Sequence, residues 1–280
     1  MTVFRPCIDL HSGHVKQIVG ASLSSSEPAA LKVNFVASHP PAHYASVYRE
    51  NALAGAHVIK LGPGNDSAAR EALAAWPGSL QVGGGITAEN AREWLDAGAS
   101  KVWKWRLRHS QTDCSSFHKV IVTSHLFPSG RFSLARLQAL AAEVTPARLV
   151  VDVSCKRVGD RWVVAMDKWQ TLTDMEVTRE TLHMLAEYCS EFLVHAADVE
   201  GLCQGIDEEL VTRLGEWCTI PCTYAGGGKE IDDLALVKRL SDGKVDLTFG
   251  SALDMFGGTG VRFDDCVAWN NMQKATPKVL

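Results

Sequence analysis

Ser79-Leu80-Gln81-Val82-Gly83-Gly84-Gly85 is a short apolar run that stops on three glycines, and Ile220-Pro221-Cys222-Thr223-Tyr224-Ala225-Gly226-Gly227-Gly228 repeats the pattern later in the chain. The two glycine triplets stand 143 residues apart. A second echo has the same interval: Ile8-Asp9-Leu10 closes one apolar run and Val151-Asp152-Val153 closes another. Runs of this kind read as strands buried on both faces, as in a parallel sheet. Expected strands are 4–9, 57–61, 79–82, 119–123, 148–153, 192–195, 220–224 and 245–249, with amphipathic helices at 42–53, 88–97, 134–142, 179–189, 208–217 and 231–240. Eight strands alternating with helices predict an α/β fold, a (β/α)₈ TIM barrel made of two half-barrel repeats, with a doubly wound sheet as the rival. The reading takes residues 1–280 as one barrel domain.

Composition agrees with a globular chain. Of 280 residues, 46% are hydrophobic, and 28 Lys plus Arg face 32 Asp plus Glu for a formal charge of −4. That balance lacks the clustered basic surface of a nucleic-acid binder. No run reaches the length of a membrane span, and the first residues have no signal-peptide pattern, so a cytoplasmic location is expected. The eight cysteines form no CxxC pair or interleaved His set, which reads as free thiols and no metal site.

Glycines between a strand end and a helix let backbone N–H groups close on a phosphate. Gly83, Gly84 and Gly85 are followed at the next strand end by Ser124, and Gly226, Gly227 and Gly228 by Gly250 and Ser251. Two such arms predict a ligand with a phosphate at each end. Asp9 and Asp152 then stand between the arms, and paired carboxylates suit general acid–base work. One interval breaks the symmetry: Gly83 to Ser124 is 41 residues, whereas Gly226 to Ser251 is 25. Removing the basic, aromatic stretch Trp103–Val120 repairs it and joins 99–102 to 121–124. That stretch reads as an anomalous insertion in the middle of the fourth strand, foreign to the working protein, such as an intron read in frame. If real, it should loop out near Ser124.

The segments Phe4–Gln17, Gln81–Ile86, Val151–Arg157, Trp169–Thr173, His195–Leu202 and Tyr224–Gly228 together resemble the eukaryotic form of the histidine-pathway ribotide isomerases. The resemblance covers nearly the whole chain outside Trp103–Val120. It implies a (β/α)₈ barrel and an intramolecular aldose–ketose isomerase carrying out an Amadori rearrangement of a bisphosphate ribotide, without cofactor, metal or obligate protein partner. It also implies that Asp152 protonates the ribose ring oxygen, that Asp9 removes the C2 proton, and that Trp169 lies over the substrate. Bacterial relatives have a Thr after the sixth strand where this chain has Ala196-Ala197, so Asp198 or Glu200 is a candidate for that polar contact. Lys16, with His11 and His14, is a further candidate for touching substrate. Two rivals stay open: the sister cyclase of the same pathway, and an inactive product whose fourth strand is split by the insertion.

Overall fold

The computed structural model describes residues 1–19, 33–98 and 118–275. Its thirteen strands are β1 Cys7–His11, β2 His14–Ile18, β3 Val33–Val36, β4 Ala56–Lys60, β5 Leu80–Gly83, β6 Lys119–Val122, β7 Leu149–Asp152, β8 Cys155–Val158, β9 Arg161–Met166, β10 Thr171–Glu176, β11 Glu191–His195, β12 Cys222–Ala225 and β13 Val245–Thr248. Eight of them run parallel in the order β13-β12-β11-β7-β6-β5-β4-β1. The sheet closes on itself just before β1, where Phe4 bridges Leu247. There the Arg5 N–H donates to the Leu247 carbonyl at 2.9 Å, and the Leu247 N–H to that of Val3 at 3.0 Å. The fold is therefore the (β/α)₈ barrel expected from the alternating runs.

Strand side chains alternate between two environments. Ile8, Val58, Val82, Val120, Val151, Phe192, Tyr224 and Leu247, one from each barrel strand, belong to the main apolar core. Their alternates turn into the lumen, where Ile121, Val150 and Leu193 form a separate small cluster with Ile59 against it. Beneath it lies a polar floor that the apolar runs did not announce: Arg5 pairs with Asp246 at 2.8 Å and Lys119 with Glu191 at 2.9 Å, while Gln81 Nε2 donates to Glu191 at 2.7 Å.

Helices cover the outside for the expected reasons. The helix at Glu208–Trp217 starts where the Asp207 side chain accepts the Leu210 N–H, and it buries Leu210, Val211 and Leu214 at helical spacing. Two helices escaped the sequence reading. Asp66–Ala75 buries mainly alanines, whose small side chains give a weak periodic signal, and Phe263–Ala275 follows the last strand. Also unforeseen are antiparallel additions at the carboxyl ends of the strands, namely β2 and β3 beside β1, and the separate sheet β8–β9–β10 after β7.

The placement expected for 103–120 is corrected in part. Lys119 and Val120 are not foreign to the barrel. They begin β6, register with Gln81 and Val82 on one side, and continue into Ile121 and Val122 without a break. His118, just before them, is buried, accepts the Gly78 N–H at 2.9 Å through Nε2, and places Nδ1 2.8 Å from the Leu80 carbonyl. The physical reason is a duplication: Lys101-Val102 and Lys119-Val120 are the same dipeptide, and the second copy fills the strand. Strand four is thus whole, which removes the ground for an inactive product. His118 packs against Gly98 at the amino end of β6, whereas Ser124 follows its carboxyl end, so the flanks do not lie beside the expected phosphate site. Residues 103–117 lie outside the described residues.

Candidate active site

The period of two along the barrel strands brings Asp9 of β1, Asp152 at the end of β7 and His195 at the end of β11 to the carboxyl-end mouth. All three line one cavity of about 600 Å³, together with Trp169, Glu200 and the first glycine arm. A much smaller cavity of about 20 Å³ continues past Asp9, His195 and Glu200 to Gly226, Gly227, Gly228, Gly250 and Ser251. The two arms therefore flank the carboxyl pair, as the repeat predicted.

Asp9 Oδ2 accepts from Gln17 Nε2 at 3.2 Å and lies 3.4 Å from Cys7 Sγ. Burial pushes its carboxyl above the ordinary range, and His195 and the hydrogen bonds from Cys7 and Gln17 pull the other way. Glu200 is raised for the same first reason, with Asp9 adding to the shift and His195 opposing it. Asp152 is held differently. Thr123 Oγ1 donates to its Oδ2 at 2.8 Å, and Ser154 gives both its N–H, at 2.8 Å, and its hydroxyl to Oδ1. Both oxygens are thus fixed in direction.

The middle glycine of each arm is required by its own surroundings. Gly84 has φ +89° and Gly227 φ +75°, and a Cβ on either would sit 2.1 Å from a backbone carbonyl oxygen, that of Lys60 or of Gly205. Any side chain there would displace the protein's own loop before it met a ligand. At Gly85, φ +69°, a Cβ would meet open space, so this residue leaves the first arm bare. Lys60 adds a cation to that arm; its Nζ is 2.9 Å from Asp66 and 3.6 Å from the centre of the Trp94 ring.

Trp169 projects from a turn in which Asp167, Lys168 and Trp169 all have positive φ, at 52°, 58° and 61°, an unfavourable run for residues with a Cβ. Its ring lies 5.4 Å from that of His195. Ser124 lines the large cavity, and Ser251 Oγ accepts from Asn34 Nδ2 at 2.8 Å beside the small one. Two of the candidate residues do not reach either cavity. Lys16 alternates with Gln17 on β2, and it is Gln17 that turns inward and is buried. Asp198 is exposed and accepts the Arg157 N–H at 2.6 Å, so of these two candidates only Glu200 lines the cavity. His11 and His14 line neither cavity.

Gln17, Thr123, Ser154 and His195 were missed as site residues. His195 was within reach of sequence reasoning, because it closes the sixth strand as Asp152 closes the fifth. Among the described residues no group of three or more His, Cys, Asp or Glu side chains is arranged to hold a metal.

The profile of the family described as "Histidine biosynthesis protein" matches residues 4–105 and 109–258. A Neurospora crassa protein named 1-(5-phosphoribosyl)-5-((5-phosphoribosylamino)methylideneamino)imidazole-4-carboxamide isomerase is 59% identical over 276 residues, covering 98% of this chain and all of the relative. The Saccharomyces cerevisiae protein of the same name is 53% identical over 279 residues, with 98% and 100% coverage. A Medicago truncatula protein with that name and the label chloroplastic is 42% identical over 281 residues, covering 98% of this chain and 83% of its own.

Proposed function

This chain belongs to the histidine biosynthesis protein family and is an aldose–ketose isomerase of that pathway, and from that premise we propose that Asp9 and Asp152 carry its proton transfers. The observation that carries the reading is the placement of both carboxyl groups on one cavity, between the two glycine arms. The substrate is a ribotide with a phosphate at each end. Gly83, Gly84, Gly85 and Ser124 receive one phosphate, and Gly226, Gly227, Gly228, Gly250 and Ser251 the other, through backbone N–H groups and hydroxyls. Lys60 adds positive charge to the first arm.

The chemistry follows from what each carboxyl can do. Asp152, with both oxygens aimed by Thr123 and Ser154, gives a proton to the ribose ring oxygen, and the ring opens to a Schiff base at C1. Asp9 then takes the C2 proton. A carboxyl raised by burial is a stronger base than an exposed one, which suits removal of a carbon-bound proton. The resulting enolamine becomes the aminoketose as neutral Asp9 gives its proton to C1 and ionised Asp152 takes that of the C2 hydroxyl, which returns both carboxyl groups to their starting states. Trp169 covers the opened chain, and Glu200 supplies the polar contact after the sixth strand.

No metal, cofactor or obligate protein partner has a part in this scheme. The relatives bear the isomerase name, which favours this reaction over that of the sister cyclase. Among the described residues no helix is long and apolar enough to cross a membrane, and the described cysteines are free thiols, which supports a cytoplasmic setting. Replacing Asp9 or Asp152 by Asn keeps shape and removes the exchangeable proton. Turnover should fall on the order of 10²-fold or more in each variant, while a bisphosphate product analogue still binds. Near-normal turnover of either variant removes that residue from the scheme.

A further inference from the structure

The hairpin of β2 and β3 lies against the second arm, yet neither the acid–base scheme nor the phosphate contacts above use β3. Its pairing is irregular at one residue. Lys16 pairs with Val36 and Gln17 with Phe35, but the next residue, Ile18, pairs with Val33, so Asn34 is the extra residue of a β-bulge. Such an insertion interrupts the ladder and re-aims a side chain away from the regular alternation. The side chain re-aimed here is exposed and reaches the arm: Asn34 Nδ2 lies 2.8 Å from Ser251 Oγ and 3.1 Å from the Gly201 carbonyl oxygen. The neighbouring hairpin residues close on the same loops. A Cβ on Gly250 would run into Gln17 Oε1, and one on Gly201 into the Ile18 carbonyl.

The Gly201 carbonyl fixes the sense of these bonds. A carbonyl oxygen can only accept, so the end of the Asn34 amide that faces it is the NH2 group, and the same nitrogen donates to Ser251 as well. A hydroxyl has one proton and two lone pairs. With one lone pair taken by Asn34, the Ser251 proton has to go to a different acceptor, and among the described residues this hydroxyl has no second hydrogen-bond partner. Ser251 lines the small cavity beside Gly226, Gly227, Gly228 and Gly250. Ionised phosphate oxygens are strong acceptors with no proton to give, so they take a hydroxyl only as a donor. We propose that Asn34 is a positioning residue of the second phosphate site, holding Ser251 as a hydrogen-bond donor to the phosphate. The role rests on the assignment of the second arm to a phosphate, and Asn34 acts on substrate only through Ser251. The bulge supplies the aim, and the Gly201 carbonyl keeps the amide from turning its oxygen toward the hydroxyl.

The test is a double-variant cycle read in steady-state kinetics on the ribotide. Asn34→Ala should raise KM by about three- to tenfold with kcat within about twofold of the parent, because it removes binding that ground state and transition state share. Asn34→Asp keeps the shape but reverses the bond: the carboxylate accepts the Ser251 proton and brings a like charge toward the phosphate. KM should therefore rise by about tenfold or more, beyond the Ala variant. Ser251→Ala should raise KM by about tenfold, and adding Asn34→Ala to it should change KM by less than about twofold, because no hydroxyl is left to aim. A residue that merely braced the loops would still cost affinity in that background, since the glycine N–H groups would move with them. Circular dichroism checks folding, and the exposed Asn34 gives two variants, either of which decides if the other does not fold. Fully additive losses in the double variant, or an Asn34→Asp variant no worse than Asn34→Ala, overturn the proposal. If Ser251→Ala raises KM while both Asn34 variants match the parent, only the role of Asn34 fails. If KM is unchanged in Ser251→Ala and in Gly227→Ala, the second arm fails as a phosphate site and the role of Asn34 falls with it.

Discussion

The two glycine arms come from the same repeat but open onto very different spaces. The first borders the cavity of about 600 Å³, with bare Gly85 and the cation of Lys60 beside it. The second borders about 20 Å³, because Gly205 packs on Gly227, the Phe249 ring lies against Gly228, and Asn34 reaches across to Ser251. Symmetry in sequence therefore sets where phosphates can bind, and the loops added to each half set how each is enclosed. The carboxyl groups divide in a related way: Asp9, which borders both cavities, is half-buried and raised by desolvation, whereas Asp152, on the open side alone, is fixed by three donors.

The sharpest way to break this comparison is the Asp9→Asn and Asp152→Asn pair, with losses on the order of 10²-fold. Next come the arms themselves. Gly84→Ala and Gly227→Ala each push a Cβ onto a backbone carbonyl, so each should raise KM by about tenfold through displacement of its loop. Gly85→Ala has room and should raise KM less, by the strain of its positive φ alone, roughly 1 kcal/mol. Steady-state kinetics on folded variants checks the series, and an unchanged KM for Gly84→Ala or Gly227→Ala removes that arm from phosphate binding.

A pH profile probes the buried side. Asp9 must be ionised to act as base, so kcat/KM should fall on the acid side at a pH above the ordinary carboxylate value, since burial raises this group. Gln17→Leu removes a hydrogen bond that favours the ionised form, and should move that limb still higher. A limb that stays in place separates Gln17 from the control of Asp9.

Stability has its own pH signature, set on the barrel floor away from both arms. His57 titrates at about 3 in the folded chain against an ordinary 6.5, so between those values the unfolded chain binds the extra proton. Stability contributed by keeping His57 neutral is full above 6.5 and is lost as pH falls, by up to about 1.4 kcal/mol per unit. Denaturant melts of the parent and of His57→Gln at pH 7 and pH 5 should differ in slope by that amount. Equal slopes count against a buried neutral imidazole.

Much of this was legible in the sequence, for identifiable reasons. Every barrel strand was expected close to its position because its outward residues, such as Val58, Val120 and Phe192, are mostly apolar, Lys60 being an exception. The second set of strands was not, because β2, β3 and β8–β10 carry exposed polar residues, as at Arg157 of β8 and Asp174 of β10. In the site, Asp9 and Asp152 stood out through their repeat, whereas Ser154 and His195 have no repeat partner of the same type. Lys16 was chosen over Gln17 because charge is visible in a sequence and strand parity near an unforeseen hairpin is not. Asp198 failed similarly, since the bend that turns Glu200 inward and leaves Asp198 with Arg157 depends on β8.

The smallest effect on activity is expected from the remaining difference between the halves, the longer interval before Ser124. Removing 103–120 or 101–118 yields one and the same chain, because Lys101-Val102 then stands where Lys119-Val120 stood. Either description preserves the Lys-Val-Ile-Val strand, the Lys119 partner of Glu191 and the register with β5. What is lost is His118, replaced by Ser100 before the strand, and with it a buried acceptor for the Gly78 N–H. That should cost about 1–3 kcal/mol of stability at most. The loss lies at the amino end of β6, on the order of 15 Å from the mouth at about 3.3 Å per residue, so kcat and KM should both stay within about twofold of the full chain. A deletion variant that folds but is inactive would show that the longer interval belongs to the working enzyme. We propose that it does not, and sequencing of the mature transcript is the direct check: a message encoding 103–120, with a stable active product, would refute the reading of that stretch as foreign.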